Sequence, residues 1–273
     1  MSDIVEIKKD KALSYSSAVD LKNCGWYYKL QYVDGISAFR DSIDTYFGKV
    51  VHKYVQEMLE KKDSINIEKH KIAFEAEWKK VCEEQKSLVT EKDNLESLTK
   101  AGINIISVCL SVFEKELPFK EVVAIEHGFE EPISQKRNFK GFIDIIFKMQ
   151  DGSYIIGDIK TCGSAYMFKK FQDATKEYQL VAYKWFYSKS QNIDLKNIRT
   201  IFILVEKDFK SKNPIQFSEI ISDDKKIQNC LTWINKTISI IDRGLFLKNR
   251  LNCRNYGRTC VFYDTEHCKN KDI

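Results

Sequence analysis

The sequence predicts a mixed α/β (α+β) fold in which a core sheet is flanked by helices and preceded by a helical lobe. Up to Pro118, apolar residues recur at the three- and four-residue steps that are typical of helices. From Glu121 onward, short β-branched and aromatic runs alternate with turn signals, which is typical of strands. With 43% hydrophobic and 12% aromatic residues the chain can bury a core, which excludes a wholly disordered protein. Only 3 Pro and 11 Gly among 273 residues favour one compact domain over residues 1–273.

The helical lobe is predicted over residues 14–118. Its first helix should begin at Ser16 or Ser17 as the N-cap, because a hydroxyl there can accept a hydrogen bond from the first turn. The last helix should end before Pro118, since a proline disfavours helix in the residue before it. The predicted helices span 14–31, 45–62, 68–87 and 91–116.

The core is predicted over residues 119–243, and an irregular, basic, Cys-rich segment over 244–273 that folds back on the N-terminal helix. Asp151-Gly152 is a hairpin signal between two of the strands. The order of strands and helices indicates a mixed sheet. The predicted strands are 121–130, 139–148, 153–161, 198–206 and 214–221, and the predicted helices are 173–189 and 224–243.

Neither a membrane span nor a secretory signal is expected. The longest apolar run, Ala101 to Phe113, is interrupted by Asn104 and Ser107 and falls short of the roughly 18 residues that a span needs. The first eleven residues are charged throughout. We therefore expect a cytoplasmic protein, in which eight cysteines are free, catalytic or metal-bound rather than paired in disulfides.

The positive charge is local. Of the net charge of +5, residues 243–273 contribute seven Lys or Arg against three acidic residues. Such a surface suits a polyanion such as nucleic acid, and on charge alone it equally suits a solvated tail.

Asp158 and Lys160 carry the first chemical signal. They are two apart on a predicted strand, so they project from the same face. Asp144 interrupts an apolar stretch of the preceding strand, where a carboxylate is costly unless it is paired or bound to metal. Two carboxylates on neighbouring strands can hold Mg²⁺, and a lysine beside them can orient or deprotonate water and offset charge on a phosphate. Taken alone, this pattern favours a hairpin with surface charges, and the position of Asp144 argues against that interpretation.

The loop between these two strands decides whether the two aspartates can meet. A strict two-residue turn at Asp151-Gly152 would place Asp144 opposite Ile159 and point it away from the face of Asp158. We therefore predict an odd-length loop, such as a three-residue turn with a glycine bulge, or a bulge within one strand.

Four ordered segments resemble the RecB-type members of the PD-(D/E)xK nuclease superfamily. They are Gly48-Lys49-Val50-Val51-His52, Gly141-Phe142-Ile143-Asp144, Asp158-Ile159-Lys160-Thr161 and Gln179-Leu180-Val181-Ala182-Tyr183. The serine-rich segment at 14–17 and Cys24-Gly25-Trp26-Tyr27-Tyr28 are also similar to the opening of these proteins, although Gly25 stands where they usually have proline. The resemblance covers residues 14–268 and is closest to small CRISPR-associated and phage-encoded RecB-like exonucleases. It implies a restriction-endonuclease-like core sheet.

The resemblance implies a metal site and a catalytic lysine. Asp144 and Asp158 are then the metal-binding carboxylates, His52 is a ligand borne on a helix, and Ile159 belongs to the same metal site. Lys160 is the catalytic lysine. The expected ion is Mg²⁺ or Mn²⁺, because imidazole is a better ligand for Mn²⁺ than for Mg²⁺.

Two further residues match the Q-x-x-x-Y element of these nucleases. Gln179 and Tyr183 lie four apart on one helical face and are expected to steady the lysine or a DNA phosphate. Glu126, in the strand before the motif, offers an accessory carboxylate, although we favour an ordinary exposed strand residue.

The resemblance also assigns four of the eight cysteines. Cys24, Cys253, Cys260 and Cys268 fit the one-plus-three plan by which some of these nucleases ligate a structural [4Fe-4S] cluster. The C-x6-C start of the triplet departs from the usual C-x2-C, so structural Zn²⁺ and unliganded thiols stay open as alternatives. The remaining four, Cys82, Cys109, Cys162 and Cys230, are predicted to be free thiols.

These observations predict a metal-dependent DNA exonuclease acting from DNA ends, single-stranded or exposed, in recombination, repair, phage DNA processing or CRISPR spacer acquisition. One alternative is a catalytically silent single-stranded-DNA-binding module that uses Trp26, Tyr27 and Tyr28. Another is a structural subunit of a recombination or CRISPR adaptation complex, with protein partners there.

Overall fold

The structure is a computed structural model that describes residues 12–36, 42–91, 93–171, 173–255 and 258–269. The first eleven residues, for which the sequence predicts no secretory signal, lie outside the described residues. The helices are α1 (Tyr15–Asn23), α2 (Gly25–Tyr28), α3 (Ile43–Glu60), α4 (Ile67–Glu84), α5 (Leu95–Glu116), α6 (Ala165–Lys170), α7 (Ala174–Gln191) and α8 (Asp224–Asp242). The strands are β1 (Leu13–Ser14), β2 (Glu121–Ser134), β3 (Arg137–Lys148), β4 (Tyr154–Cys162), β5 (Ile198–Glu206), β6 (Ile215–Glu219), β7 (Arg254–Asn255) and β8 (Arg258–Thr259).

The contacts divide the chain into two compact units. One comprises the described parts of residues 1–40, 128–141 and 223–273, and the other those of 41–127 and 142–222. Strands β2 and β3 each continue from one unit into the other along the chain.

The unit that contains residues 142–222 is built on a mixed sheet. In it β3 pairs antiparallel with β4, β4 parallel with β5, and β5 antiparallel with β6. The face that carries Ile145, Ile159 and Ile203 packs on α3, α4 and α5 in one apolar core. Because side chains alternate along a strand, Asp158 and Lys160 belong to the opposite face, whose strands β4 and β5 contact α7. The mixed α/β fold predicted from the sequence is thus confirmed.

The other unit joins the two ends of the described chain. Leu13 of β1 pairs in parallel with Phe139 of β3, and α1 contacts α8. Arg137 is buried, and its Nε donates to Oδ1 of Asp242 at 2.7 Å. A buried guanidinium needs such a carboxylate, so this pair fixes β3 against the end of α8.

The first predicted helix differs from the structure in its start and its continuity. Ser14, rather than Ser16 or Ser17, is the N-cap, and its hydroxyl accepts a hydrogen bond from the Ser17 N–H in a reciprocal capping box. The helix is broken at Cys24, which is extended with φ −160° and ψ 112° and separates α1 from α2, and the chain then continues from α2 as a π-helix over Lys29–Val33. The sequence also missed α6, since its six residues are too few to show a helical period.

Among the described residues, α5 is long and apolar enough to cross a membrane by length and composition alone. The apolar face of α5 packs inside the protein, where Ile105, Ile106 and Phe113 are buried in the core described above. The ring of Phe113 meets those of Phe147 and Phe217, with centroids 5.9 and 5.0 Å away. A core helix therefore accounts for the composition of α5.

We expect Phe113→Ala to lower the free energy of unfolding by about 3–5 kcal/mol, because it leaves a cavity among aromatic rings. Urea unfolding followed by circular dichroism measures this. The control is Ile72→Ala, whose side chain is 69% exposed and should change the stability by less than about 0.5 kcal/mol. Equal midpoints for the two variants would contradict a core role for α5.

Candidate metal and catalytic site

The hairpin between β3 and β4 has the odd-length loop that the sequence predicts. Ile145 pairs with Gly157 and Lys148 with Tyr154, so opposed residue numbers sum to 302 and Asp144 falls in register with Asp158. The Met149 N–H donates to the carbonyl of Ser153, which leaves three residues at the tip. Gly152 takes the left-handed φ of 85° there. The turn therefore brings both aspartates to the same side, and the prediction is confirmed.

The β3–β4 ladder gives way at the two aspartates. The regular ladder ends at the pair of Ile145 with Gly157, and beyond it Oδ2 of Asp144 accepts a hydrogen bond from the Ile159 N–H at 2.7 Å. A side-chain oxygen thus replaces a backbone carbonyl as the partner of this N–H. The regular pairing of the two strands therefore stops where the carboxylates lie.

Helix α3 supplies His52 through a close approach to β4. A Cβ on Gly48 would lie 3.1 Å from Oγ1 of Thr161, so glycine lets the helix come near the strand. One turn later, Nδ1 of His52 lies 3.8 Å from Oδ2 of Asp144, and the ring also hydrogen-bonds to the backbone of Ile159. The helical motif therefore approaches the strand motifs at both of its ends, Gly48 at Thr161 and His52 at Asp144.

Asp158 is the buried centre of a polar cluster. Lys160 Nζ lies 3.0 Å from its Oδ1 and 2.8 Å from its Oδ2, and Nε2 of Gln179 donates to Oδ1 at 2.7 Å. The Gln179 amide also reaches the hydroxyl of Tyr183 at 3.3 Å. The Q-x-x-x-Y element therefore holds the carboxylate, whereas the sequence led us to expect contact with the lysine or DNA.

Glu126 joins the same site, which the sequence analysis did not favour. Its backbone lies at φ 48°, in the left-handed region, although it sits within β2. More and less exposed residues alternate along β2, and two less exposed residues follow each other just before Glu126, as they would at a β-bulge. Nε2 of Gln56, a buried residue of α3, donates to Glu126 at 2.7 Å and to the carbonyl of Asp144 at 3.0 Å. Ligand atoms of His52, Glu126 and Asp144 all lie within 4.8 Å of one another.

Burial and mutual repulsion shape the protonation of this site. Burial, and then the charge of Asp158, raise the pKa of Asp144 to about 8. Burial lowers the pKa of His52, which keeps the imidazole neutral and able to ligate. Burial opposes the charge of Lys160, but the neighbouring Asp158 outweighs it and the pKa is raised. Lys160 is therefore a cation here, which favours charge stabilisation over proton abstraction.

A divalent cation fits this donor set. Oδ2 of Asp158 is buried and accepts no directed hydrogen bond, despite the nearby ammonium of Lys160. Carboxylate oxygens suit Mg²⁺, and a neutral imidazole beside them suits Mn²⁺ as well. His52, Glu126 and Asp144 are the side chains that the structure groups closely enough to hold such an ion, with the Ile159 backbone beside Asp144. The predicted ligand Asp158 lies next to this group and is engaged by Lys160 and Gln179.

The four cysteines singled out by the sequence meet in the unit that joins the two ends of the described chain. Cys253 and Cys260 flank the β7–β8 hairpin, and the Cys260 N–H donates to the carbonyl of Cys253 at 2.8 Å. The C-x6-C spacing is thus the length of this hairpin. A bridge between Thr265 and Cys268 turns the chain back beyond it. Cys24, Cys253 and Cys260 line one cavity of about 230 Å³.

The thiols interact electrostatically and accept hydrogen bonds. Burial raises the pKa of the Cys260 thiol, and charges on Cys253, Cys24 and Cys268 raise it further. The Asn249 N–H donates to Sγ of Cys24 at 3.4 Å. All eight cysteines are free of disulfides. Such hydrogen bonds to sulfur are characteristic of thiolates that bind a metal or a cluster.

Gly25 belongs to the same region, where a related protein would have proline. A Cβ at this position would lie 2.8 Å from the backbone nitrogen of Leu247, so a larger residue collides with the segment that follows α8. The Trp26 N–H donates to the carbonyl of Leu247 at 3.1 Å. Glycine here permits the backbone contact between α2 and the Cys-rich segment.

The aromatic residues next to Cys24 are used in packing. Tyr28 is buried and stacks on Phe246, with ring centroids 5.9 Å apart. The indole N–H of Trp26 donates to the carbonyl of His267 at 3.0 Å, and Tyr27 packs edge-on against Phe262. They therefore hold the Cys-rich segment to the N-terminal helices, which argues against a surface that stacks DNA bases.

Comparison with known proteins agrees with the geometry of the site. The model of the PD-(D/E)XK nuclease superfamily matches residues 12–268, and the chain belongs to this superfamily. A solved structure from Eubacterium rectale, named "putative exonuclease", is similar with a TM-score of 0.55 and 15% identity, covering 85% of this chain and 80% of that one. At this identity the likeness shows a shared fold.

A second solved structure, of the protein SSO0001, has 17% identity and covers 72% of this chain and 86% of that one. Its TM-score of 0.32 is too low to bear on the fold. No curated protein matches the chain. The resemblance to the superfamily that the sequence motifs indicate is confirmed by the family match.

We expect Glu126→Gln to weaken Mn²⁺ binding by about tenfold or more, because it removes a charged oxygen from the group formed with His52 and Asp144. Isothermal titration with Mn²⁺ measures this without any substrate. The matched control is Glu121→Gln, an exposed glutamate on the same strand. An Mn²⁺ affinity equal to that of Glu121→Gln would show that Glu126 does not contribute to metal binding.

Proposed function

We propose that this protein is a metal-dependent DNA exonuclease that hydrolyses phosphodiester bonds from DNA ends. The observation that carries the proposal is that the register of the β3–β4 hairpin puts Asp144 and Asp158 on one face, where Lys160 Nζ lies 2.8 Å from Oδ2 of Asp158. Membership of the nuclease superfamily supports hydrolysis of nucleic acid. The name of the Eubacterium rectale protein of similar fold supports action from ends.

Each side chain has a separate task in this proposal. His52, Asp144 and Asp158 hold Mg²⁺ or Mn²⁺, together with Ile159. When bound, the cation supplies Lewis-acid stabilisation of the phosphate and an activated water. Asp144 also accepts the hydrogen bond of the Ile159 N–H, where the regular β3–β4 pairing stops.

The amides and the lysine complete the catalytic group. Gln179 donates to Oδ1 of Asp158 and so fixes the orientation of this carboxylate, and Tyr183 steadies the Gln179 amide. Lys160 presents an ammonium that offsets negative charge as the phosphate is attacked, and it orients the attacking water. Its raised pKa keeps this charge in place at neutral pH.

The biological setting follows from the substrate. We propose DNA with single-stranded or exposed ends as the partner, and a role in recombination, repair, phage DNA processing or CRISPR spacer acquisition, where partner proteins would supply the ends. The eight unpaired cysteines support a reducing, cytoplasmic compartment.

The rival function is binding without catalysis. A silent DNA-binding module would have no need for a buried carboxylate held by both an amide and a lysine beside a possible metal site, and this group favours the enzyme. Metal-stimulated release of nucleotides distinguishes the two functions. Release of nucleotides only in the presence of a partner would favour a structural subunit of a recombination or CRISPR adaptation complex.

Asp158→Ala and Lys160→Ala should each lower the rate of DNA hydrolysis by at least about a thousandfold, since they remove a metal ligand or a charge at the phosphate. DNA affinity without hydrolysis, measured in EDTA, should change little, because most binding energy comes from other phosphate contacts. The assay follows DNA labelled and blocked at each end in turn, with Mg²⁺ or Mn²⁺. Asp63→Ala, an exposed aspartate, is the control. Substantial hydrolysis by Asp158→Ala would refute the assignment.

We further propose that Cys24, Cys253, Cys260 and Cys268 hold a structural [4Fe-4S] cluster. Three of them, Cys24, Cys253 and Cys260, line one cavity, Cys268 interacts electrostatically with Cys260, and an N–H donates to Sγ of Cys24, which together support a bound group. Among the described residues, only the His52 group brings three such ligand atoms within 4.8 Å, so no three of the thiol sulfurs lie that close. Tetrahedral zinc would draw them to about 3.8 Å, whereas a cluster of four irons spaces its thiolates more widely.

Protein purified without oxygen should be brown and contain about four irons per chain. Cys260→Ser should lose the colour and lower the melting temperature by several degrees, since ~1 kcal/mol corresponds to about 2–4 °C in a protein of this size. Cys82→Ser should do neither. A colourless protein with one zinc per chain would show that the four cysteines bind zinc. A metal-free protein whose Cys260→Ser variant has the wild-type melting temperature would show that the thiols bind nothing.

A further inference from the structure

Exposed aromatic side chains are concentrated near the catalytic motifs. Among the described residues, four aromatic side chains are more than a third exposed, and all four belong to the unit that carries the catalytic group. They are Phe142, Tyr166, Phe171 and Phe209. Phe142 precedes Asp144 by two residues, and Tyr166 follows Lys160 by six.

Helix α6 holds two of these rings outward by anchoring its other face. Ala165 is buried and its N–H donates to Oε1 of Glu206 at 2.7 Å. Phe168 packs edge-on against Phe202, with ring centroids 5.4 Å apart. The opposite face then carries Tyr166, which is 66% exposed, and the ring of Phe171, 58% exposed, follows at the helix end.

Lysines accompany these exposed rings. Nζ of Lys170 lies 5.9 Å from the ring centroid of Tyr166 and 5.8 Å from that of Phe171. Nζ of Lys176 donates to the carbonyl of Phe171 at 2.8 Å, which places a second cation at the same end of α6. Rings with cations beside them offer stacking for a base and a countercharge for its phosphate.

The chain places these rings within reach of the reacting phosphate. Phe142 and Asp144 share one face of β3 and are about 7 Å apart along the strand. Six residues separate Lys160 from Tyr166, so their Cα atoms are at most about 21 Å apart. A strand of a few nucleotides can therefore contact the rings while its end lies at the catalytic group.

We propose that Tyr166 and Phe171, with Lys170 between them, form a stacking surface for the bases of single-stranded DNA, and that Phe142 stacks on a base at the catalytic group. The occupant is single-stranded because paired bases cover each other's faces, whereas unpaired bases expose theirs to aromatic rings. This inference rests on the proposed nuclease function, since the rings matter as a guide for the strand that is cut.

The test measures binding of fluorescein-labelled oligo(dT) by anisotropy in EDTA, which prevents cleavage. The double variant Tyr166→Ala/Phe171→Ala should bind about 25-fold more weakly, at a minimum of roughly fivefold for each lost stack. Its affinity for blunt duplex DNA should be unchanged, as should its Mn²⁺ affinity and melting temperature. Ile72→Ala, an exposed apolar residue on α4, is the control for removal of surface carbon.

A second variant keeps the test decisive if the double variant folds poorly. Tyr166→Trp preserves an aromatic face, so it should retain the affinity for oligo(dT), and oligo(dT) should quench its added fluorescence. Unaltered oligo(dT) affinity in the double variant, or no quenching of the added tryptophan, would overturn the stacking surface and leave this face for a protein partner.

The two hypotheses fail in different ways. Metal-dependent cleavage by the wild type, together with unaltered oligo(dT) affinity in the double variant, overturns the stacking surface alone. Weakened oligo(dT) binding in the double variant, with no cleavage by the wild type under any metal, overturns the nuclease function and retains the stacking surface.

Discussion

The hydrogen bond from the Ile159 N–H to Oδ2 of Asp144 is the interaction on which the site depends. It forms where the β3–β4 ladder stops, and it satisfies a backbone donor that the end of the regular pairing would otherwise leave without a partner. A carboxylate thereby becomes part of the sheet's hydrogen bonding. The end of the regular pairing costs little, because the side chain of Asp144 takes the place of a backbone partner.

Neutral amides organise the remaining carboxylates. Gln56 bridges Glu126 and the carbonyl of Asp144, and Gln179 holds Asp158. An amide fixes the position of a carboxylate without cancelling its charge, whereas a lysine or arginine in the same place would compete with a cation. Lys160 is the exception, and its ammonium beside Asp158 would also offset the negative charge of a bound phosphate.

Much of this arrangement follows from the sequence alone. The family motifs led us to expect Asp144 and Asp158 on one face, this expectation required an odd-length loop between β3 and β4, and the register of the hairpin has such a loop. Glu126 could not be placed in that way, because a bulge changes which face a residue occupies and leaves no distinct sequence pattern. Helix α6 and its outward rings were also missed, since one and a half turns show no period. Gln56 lies on an otherwise apolar face of α3, where only the fold reveals its partners.

The pairing of Lys160 with Asp158 has a consequence for how the protein is assembled. The ammonium of Lys160 lies beside Asp158, and burial together with the charge of Asp158 raises the pKa of Asp144 to about 8. Both effects reduce the negative charge that Glu126, Asp144 and Asp158 would otherwise bring together at neutral pH. Part of the repulsion among the carboxylates is therefore relieved within the chain itself while it folds.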